Sequence, residues 1–243
     1  MRAAVTPTFK YDGLGVPIIK TERMESITST IVRLVEPGYS YHSPNVPILG
    51  ILSHLSEIRL IQLELQNLGF IGDKKIRGKM SPKQNKIFID HGLASSEEYE
   101  HLFRMTAAHE LGHWVLHRKV PSVNASEIID TDAEVEGSLN HHNQRLAWLE
   151  RQAKAFAASL LLPREEFTKL ARGLMVTMNC HHPDGKFYLS FRNQRSYIDF
   201  KQQLSKWFGV SDTAIEIRLH KLNLVENDLK VQSVGQILKK AIQ

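Results

Sequence analysis

The sequence is poor in cysteine and in long apolar stretches. It holds one cysteine among 243 residues, which excludes an internal disulfide framework and fits a reducing compartment. No apolar run approaches the roughly 18 residues that a membrane-spanning helix needs, and residues 1–8 lack the apolar stretch of a signal peptide. We therefore expect a soluble, cytoplasmic protein with no membrane partner.

A strong excess of charge of one sign is also missing. The formal net charge is +5 and the isoelectric point is near 9.2, a mildly basic balance that permits contact with nucleic acid without indicating it. Hydrophobic residues make up 42% of the chain. That share predicts a substantial core in one domain of ordinary size with a smaller appendage.

The most informative motif is a His-Glu-x-x-His pattern formed by His109, Glu110 and His113. Residues four apart lie on the same face of a helix, so the two imidazoles can hold one metal ion. Zinc peptidases combine such a pair with a third protein ligand, and the motif glutamate takes a proton from the water that the ion activates. The pattern therefore predicts His109 and His113 as zinc ligands and Glu110 as the general base.

The surrounding residues place this motif on a helix. Residues 95–98 form a capping-box pattern, and the apolar residues that follow predict a half-buried helix running to about His117. The pattern would arise by chance in on the order of a few per cent of such chains, but chance would not supply this context. The context favours the metal-site interpretation.

The third ligand is not fixed by the motif. A metzincin arrangement is excluded, because Lys119 stands where that class has its third histidine. His117 lies two helical turns above the first motif histidine, too far to share a tetrahedral ion, and is interpreted as partly buried or as supporting a ligand. Residues 146–163, rich in alanine and leucine, predict a second helix whose Glu150 matches the third ligand of the gluzincin class. The alternative is a solvated acid paired with Lys154.

Other segments carry side chains of ligand type. The acidic run at residues 127–136 and the pair His141 and His142 lie between the two predicted helices, and any of them could supply a ligand. The histidine pair could also donate to the developing oxyanion, whereas an acidic run is usually a solvated loop. Residues 180–182, Cys-His-His, precede a Pro-Asp-Gly turn and are interpreted as a surface turn.

Two blocks of sequence together resemble the ImmA/IrrE family of metallo-endopeptidases. The first block is residues 109–117, and the second is the Glu-x-x-Ala-x-x-Phe-Ala-Ala-x-Leu-Leu-x-Pro pattern at residues 150–163. The resemblance extends to residues 86–90 ahead of the first helix and to residues 207–219 near the C-terminus.

The resemblance implies that His109, His113 and Glu150 bind zinc and that Glu110 is the catalytic base. It also implies a protein substrate such as a helix-turn-helix transcriptional repressor, because members of the family typically cleave one. Two features depart from the family pattern. Gln152 stands where the family usually has a second acid, and the segment between the two blocks is long.

We predict an α+β fold, a zincin-like metallopeptidase domain with a small mixed sheet followed by a helical C-terminal region. The expected boundaries are an N-terminal extension with one helix at 1–45, the peptidase domain at 46–165 and the helical region at 166–243. Residues 87–89 follow a turn-like segment at 81–85 and predict a hairpin strand ahead of the metal helix. Such a strand can pair with an extended substrate; the other interpretation is an ordinary core strand, and the two are compatible.

The C-terminal region carries the main alternative function. Residues 200–222 resemble a helix-turn-helix, with Gly209 at the turn and Ser211 capping the second helix. Four side chains of that second helix would face a major groove: Asp212, Thr213, Glu216 and Arg218. The alternatives to a peptidase are therefore a DNA-binding transcriptional regulator and a zinc-bearing but inactive partner module of antitoxin type.

Overall fold

The computed structural model describes residues 7–39, 44–120, 128–131 and 141–227. The helices in these ranges are α1 (Thr21–Val35), α2 (Ile48–Glu57), α3 (His91–Ala94), α4 (Glu100–His117), α5 (His141–Leu161), α6 (Arg164–Thr177), α7 (Gln194–Phe208) and α8 (Asp212–Lys221), with a 3-10 turn at Glu97–Tyr99. The strands are β1 (Gln62–Gln66), β2 (Phe70–Ile71), β3 (Lys74–Ser81), β4 (Lys86–Asp90), β5 (Ile128–Thr131), β6 (Phe187–Leu189) and β7 (Val225–Asn227). The α+β prediction is confirmed. Among these helices, none combines the length and the apolar character needed to cross a membrane.

Four strands that precede α4 in the chain and one that follows it, β5, form a five-stranded mixed sheet. Its order is β1-β4-β3-β2, with β5 also paired to β3. β1 and β4 run parallel, and β3 and β4 form the predicted antiparallel hairpin. Asn85 makes its turn possible with a φ of 52°, a conformation that asparagine tolerates better than most residues. The hairpin leads through the short helix α3 to the motif helix.

β4 is a central strand of the sheet and has no free edge at which a substrate could pair. It pairs with β1 on one edge and with β3 on the other, and its residues 87–89 are buried. A strand with both edges occupied has no free backbone groups for another chain. The prediction that this strand pairs with an extended substrate is wrong, and the alternative of an ordinary core strand holds.

Helix α4 runs through the interior of the molecule. It packs against β3 and β4 of the sheet and against α5, and every residue from Phe103 to His117 except Met105 is buried. Within the predicted capping-box segment 95–98, the Ser96 hydroxyl accepts from the Glu98 amide of the 3-10 turn, whereas the Ser95 hydroxyl donates to the His91 carbonyl. The α-helix itself begins at Glu100. A helix buried on all sides holds its polar side chains in fixed surroundings.

The C-terminal helices are joined to the rest of the fold by buried arginines. Arg104 of α4 donates from Nε to the Gly209 carbonyl at 3.0 Å and from a guanidinium nitrogen to the Val46 carbonyl at 2.9 Å. Arg218 of α8 forms a bidentate pair with Glu25 of α1. One cluster of buried apolar residues includes members from all three expected domain ranges; the domain boundaries stay a prediction. The short parallel pair of β6 and β7 was not predicted.

Candidate metal centre

The two motif histidines lie one turn apart on the buried face of α4. Their Nε2 atoms are 3.0 Å apart, and the side chains are 5% and 0% exposed for His109 and His113 respectively. Burial lowers the pKa of His113, although a hydrogen bond to Glu150 opposes that shift. A neutral imidazole keeps the lone pair that a metal ion needs.

Glu150 of α5 completes the group. Its Oε2 lies 3.1 Å from Nε2 of His109, and its Oε1 lies 3.2 Å from Nε2 of His113. Burial alone would raise the pKa of Glu150, but the hydrogen bonds to the two histidines outweigh it and hold that pKa well below the ordinary value. The carboxylate is therefore ionised and faces the two imidazoles, whereas the alternative of a solvated acid does not fit its position.

The spacing of the three donor atoms suits a zinc ion. Ligands about 2.0–2.1 Å from a tetrahedral zinc ion lie roughly 3.3 Å from one another, and the donor distances here run from 3.0 to 3.2 Å. Two nitrogens and one carboxylate oxygen are also the donor set of a catalytic zinc site, which leaves a fourth position open. Within the described part of the chain, His109, His113 and Glu150 form a group of three side chains of ligand type that could hold a metal ion.

Small residues allow α4 and α5 to approach closely at this point. A Cβ added at Gly112 would lie 3.0–3.2 Å from three atoms of Phe156, so the glycine of the motif makes room for that ring. Ala153 and Ala157 on α5 are fully buried, and their small side chains permit the close approach. The contact between the helices brings Glu150 within reach of both histidines.

Glu110 lies against the sheet. Its side chain is fully buried, and a Cβ added at Gly78 of β3 would lie 2.8 Å from its Oε1 and 2.7 Å from Cγ2 of Thr106. Gly78 also marks an irregularity in the pairing of β3 with β5. The role of Gly78 was not predicted, because a glycine in a strand carries no local signal of the side chain it will face across the fold.

His117 does not join the donor group. It is fully buried, and its Nδ1 lies 3.0 Å from Nδ1 of His113. Burial, together with the neighbouring His113, lowers the pKa of His117 to about 3, so it is neutral. His117 therefore contacts His113 on the side of the ring away from the donor group. This agrees with its interpretation as a residue that supports a ligand.

The other candidate ligands fall into two classes. The side chains of 127–136 and of His141 and His142 lie outside the described residues, so their predicted roles stay predictions. The segment 180–182 is a surface turn as predicted: His182 is exposed and its Nδ1 lies 3.0 Å from a carboxylate oxygen of Asp184.

The family comparison agrees with this geometry. The peptidase M78 family, described as the IrrE N-terminal-like domain, matches residues 77–220, more than half of the chain. The chain belongs to this family. The match includes all three donor residues and Glu110, and it confirms the resemblance stated from the sequence. Because this is a metallopeptidase family, the donor group is a candidate metal centre of a peptidase type.

Comparison with solved structures gives a remote likeness. A Mycobacterium tuberculosis transcriptional regulator is similar with a TM-score of 0.46 and 15% identity, over 82% of this chain and 46% of that one. This chain thus spans less than half the length of that protein. No curated protein matches the chain.

In the C-terminal helix pair α7 and α8, the position of one residue, Arg218, disagrees with the DNA-binding interpretation. Gly209 adopts a left-handed φ of 62°, and the Ser211 hydroxyl accepts from the Ala214 amide, so the turn and the cap are as predicted. Arg218, however, is 0% exposed and bound to Glu25. The expectation that Arg218 faces a nucleic acid is wrong, because α1 covers the side of α8 from which it extends.

Proposed function

We propose that this member of the M78 family is a zinc-dependent endopeptidase. One observation carries the proposal. Nε2 of His109, Nε2 of His113 and the Glu150 carboxylate lie 3.0–3.2 Å apart, and Glu110 follows the first ligand directly on the same helix. This donor set provides a catalytic rather than a closed structural zinc site, since a fourth position is left for the reaction.

Each residue of the site has a separate role in peptide hydrolysis. A zinc ion held by His109, His113 and Glu150 would supply Lewis acidity and would lower the pKa of water from about 15.7 to about 7. Glu110 accepts a proton from the attacking water and then donates it to the leaving amine, so that the proton count balances. Its burial against β3 fixes the orientation of the carboxylate. His109, His113 and Glu150 would hold the ion, and the negative charge of Glu150 would offset part of its positive charge.

The substrate is a protein, and a helix-turn-helix transcriptional repressor is the class that the ImmA/IrrE resemblance suggests. Cleavage of one such repressor would release the genes it silences. Residues 87–89 do not bind the substrate by strand addition, because both edges of β4 are occupied. Recognition must therefore use another surface.

A single substitution tests the enzymatic proposal. Glu110→Gln keeps the size of the side chain and removes its ability to take a proton, so cleavage should fall by at least about 100-fold while the zinc content stays near one per chain. The matched control is Glu100→Gln, an exposed glutamate on the same helix, which should leave both values unchanged. The readout is mass-spectrometric mapping of new N-termini in cell extract and in purified candidate repressors, after incubation with each zinc-loaded protein.

The same experiment separates the alternatives. An inactive partner module predicts no new N-termini with either the wild type or the Glu110→Gln variant. A DNA-binding regulator predicts duplex binding with a steep dependence on salt, because each phosphate contact releases counterions. The burial of Arg218 removes one of the cations that this alternative would use, so we expect no such dependence.

A further inference from the structure

The two nitrogens of the His113 ring face different partners. Nε2 is one of the three donor atoms of the candidate metal centre, whereas Nδ1 lies 3.0 Å from Nδ1 of His117. Nε2 of His117 lies in turn 3.0 Å from Oε1 of Gln152 on α5. Nε2 of Gln152 lies 2.7 Å from the carbonyl oxygen of Pro17. Four groups thus form one continuous chain from the metal centre to the segment that precedes α1.

The direction of every hydrogen bond in this chain follows from its far end. The Pro17 carbonyl can only accept, so the amide nitrogen of Gln152 must face it and Oε1 must face His117. That oxygen can also only accept, which places the proton of neutral His117 on Nε2 and leaves a lone pair on its Nδ1. In the metal-bound protein His113 must then donate from Nδ1, and its Nε2 carries a lone pair for the ion in place of the hydrogen bond to Glu150.

We propose that His117 and Gln152 are positioning residues that hold His113 in the tautomer and ring orientation required to bind the metal ion. The inference rests on the proposed function, because it concerns the same metal centre. It adds that the metal affinity depends on two residues that do not touch the ion, and on the contact of Gln152 with Pro17. A hydrogen bond to the remote nitrogen of a metal-bound histidine fixes the ring and raises its basicity as a ligand.

Three variants distinguish a positioning role of His117 and Gln152 from a role in packing alone. His117→Phe keeps a ring of similar size but offers no acceptor to His113. His117→Gln keeps an acceptor and a donor in one side chain, so it can pass the hydrogen bond on to Gln152. Gln152→Leu interrupts the chain one step further out, at a half-buried position where a change is tolerated more easily. Leu160→Val, a conservative change at a buried residue of α5, is the control for a loss of packing.

The measurement is the zinc dissociation constant of the full chain, by competition with a chromogenic chelator. The thermal midpoint of each metal-free protein is recorded in parallel, together with the visible spectrum of the cobalt(II) form. We expect His117→Phe to raise the dissociation constant by about 10–100-fold and Gln152→Leu by about 10-fold. His117→Gln should stay within about threefold of the wild type, and its cobalt spectrum should match the wild type.

Several results would overturn the inference. One is a His117→Phe or Gln152→Leu protein that binds zinc as tightly as the wild type. Another is an equal loss of affinity in Leu160→Val at the same loss of thermal stability, since that would show a packing effect. If His117→Phe does not fold, Gln152→Leu and His117→Gln decide the matter alone. A wild type that binds no zinc refutes the proposed function and the inference together, whereas a zinc-binding wild type with unaffected variants refutes only the inference.

Discussion

Replacing Arg218 with methionine removes the ion pair that joins the C-terminal helix α8 to α1. Arg218 is 0% exposed and Glu25 has a side-chain exposure of 9%. The guanidinium donates to both carboxylate oxygens at 2.7 and 2.8 Å and from Nε to the Leu162 carbonyl at 3.0 Å. Methionine fills a similar volume but leaves a buried carboxylate and a buried carbonyl without these donors.

Removing one partner of a buried pair costs about 3–5 kcal/mol of unfolding free energy. For a chain of this size that loss corresponds to a fall of roughly 6–20 °C in the thermal midpoint. The double variant Glu25→Leu with Arg218→Met removes both charges, and its unfolding free energy should lie within about 2 kcal/mol of the wild type. Arg33→Met is the control, because Arg33 and its partner Glu165 are 61% and 80% exposed and exposed pairs contribute at most about 1 kcal/mol.

The assay is urea unfolding of the metal-free proteins at neutral pH, followed by circular dichroism. A cost below about 1 kcal/mol for Arg218→Met, equal to that of the Arg33→Met control, would refute the reasoning. So would a double variant no more stable than the single one, because the penalty would then not come from the isolated Glu25 carboxylate.

Three further substitutions test the end of β4 and the surroundings of the candidate metal centre. Asp90→Asn replaces charged hydrogen bonds by neutral ones and should cost about 1–2 kcal/mol near pH 7. Burial raises the pKa of Asp90, but a Lys75 hydrogen bond and two backbone amides outweigh it and lower that pKa. This stability is therefore present above the ordinary value near 3.9 and is lost as the pH falls through the lowered value, so the urea curves of the two proteins should converge in acid. Gly78→Ala would press on Glu110 and should lower peptidase activity by about 100-fold with zinc content unchanged; full activity would contradict that contact. Gly112→Ala would press on Phe156 and should destabilise the fold by about 1–3 kcal/mol, which urea unfolding would measure.

The parts of the site that share a helix were predictable from the sequence. A spacing of four residues places His109 and His113 on one face of a helix, whatever the rest of the fold does. Glu150 lies on another helix, and its prediction came from the gluzincin pattern and from the resemblance to the ImmA/IrrE family. The residues alone left the ligand-type side chains at 127–136 and 141–142 open, so only the histidine pair follows from local periodicity.

The parts that depend on distant contacts were not predictable. Arg218 lies 193 positions from its partner Glu25, and helical periodicity cannot tell which face of α8 will be covered by α1. The same holds for Gly78, which faces Glu110 across the boundary between sheet and helix. β4 was assigned a possible substrate-binding edge because a single strand does not reveal how many neighbours it has, and here both edges are occupied.

Zinc content per chain, measured by elemental analysis after purification without added metal, tests the central claim most directly. The wild type and Lys154→Ala, an exposed change one turn beyond the site, should each contain close to one zinc. Glu150→Ala should contain much less, because the ion would lose one of three protein ligands. Equal zinc in Glu150→Ala and the wild type would contradict the assignment of Glu150, and no zinc in any of the three proteins would contradict the metal centre itself.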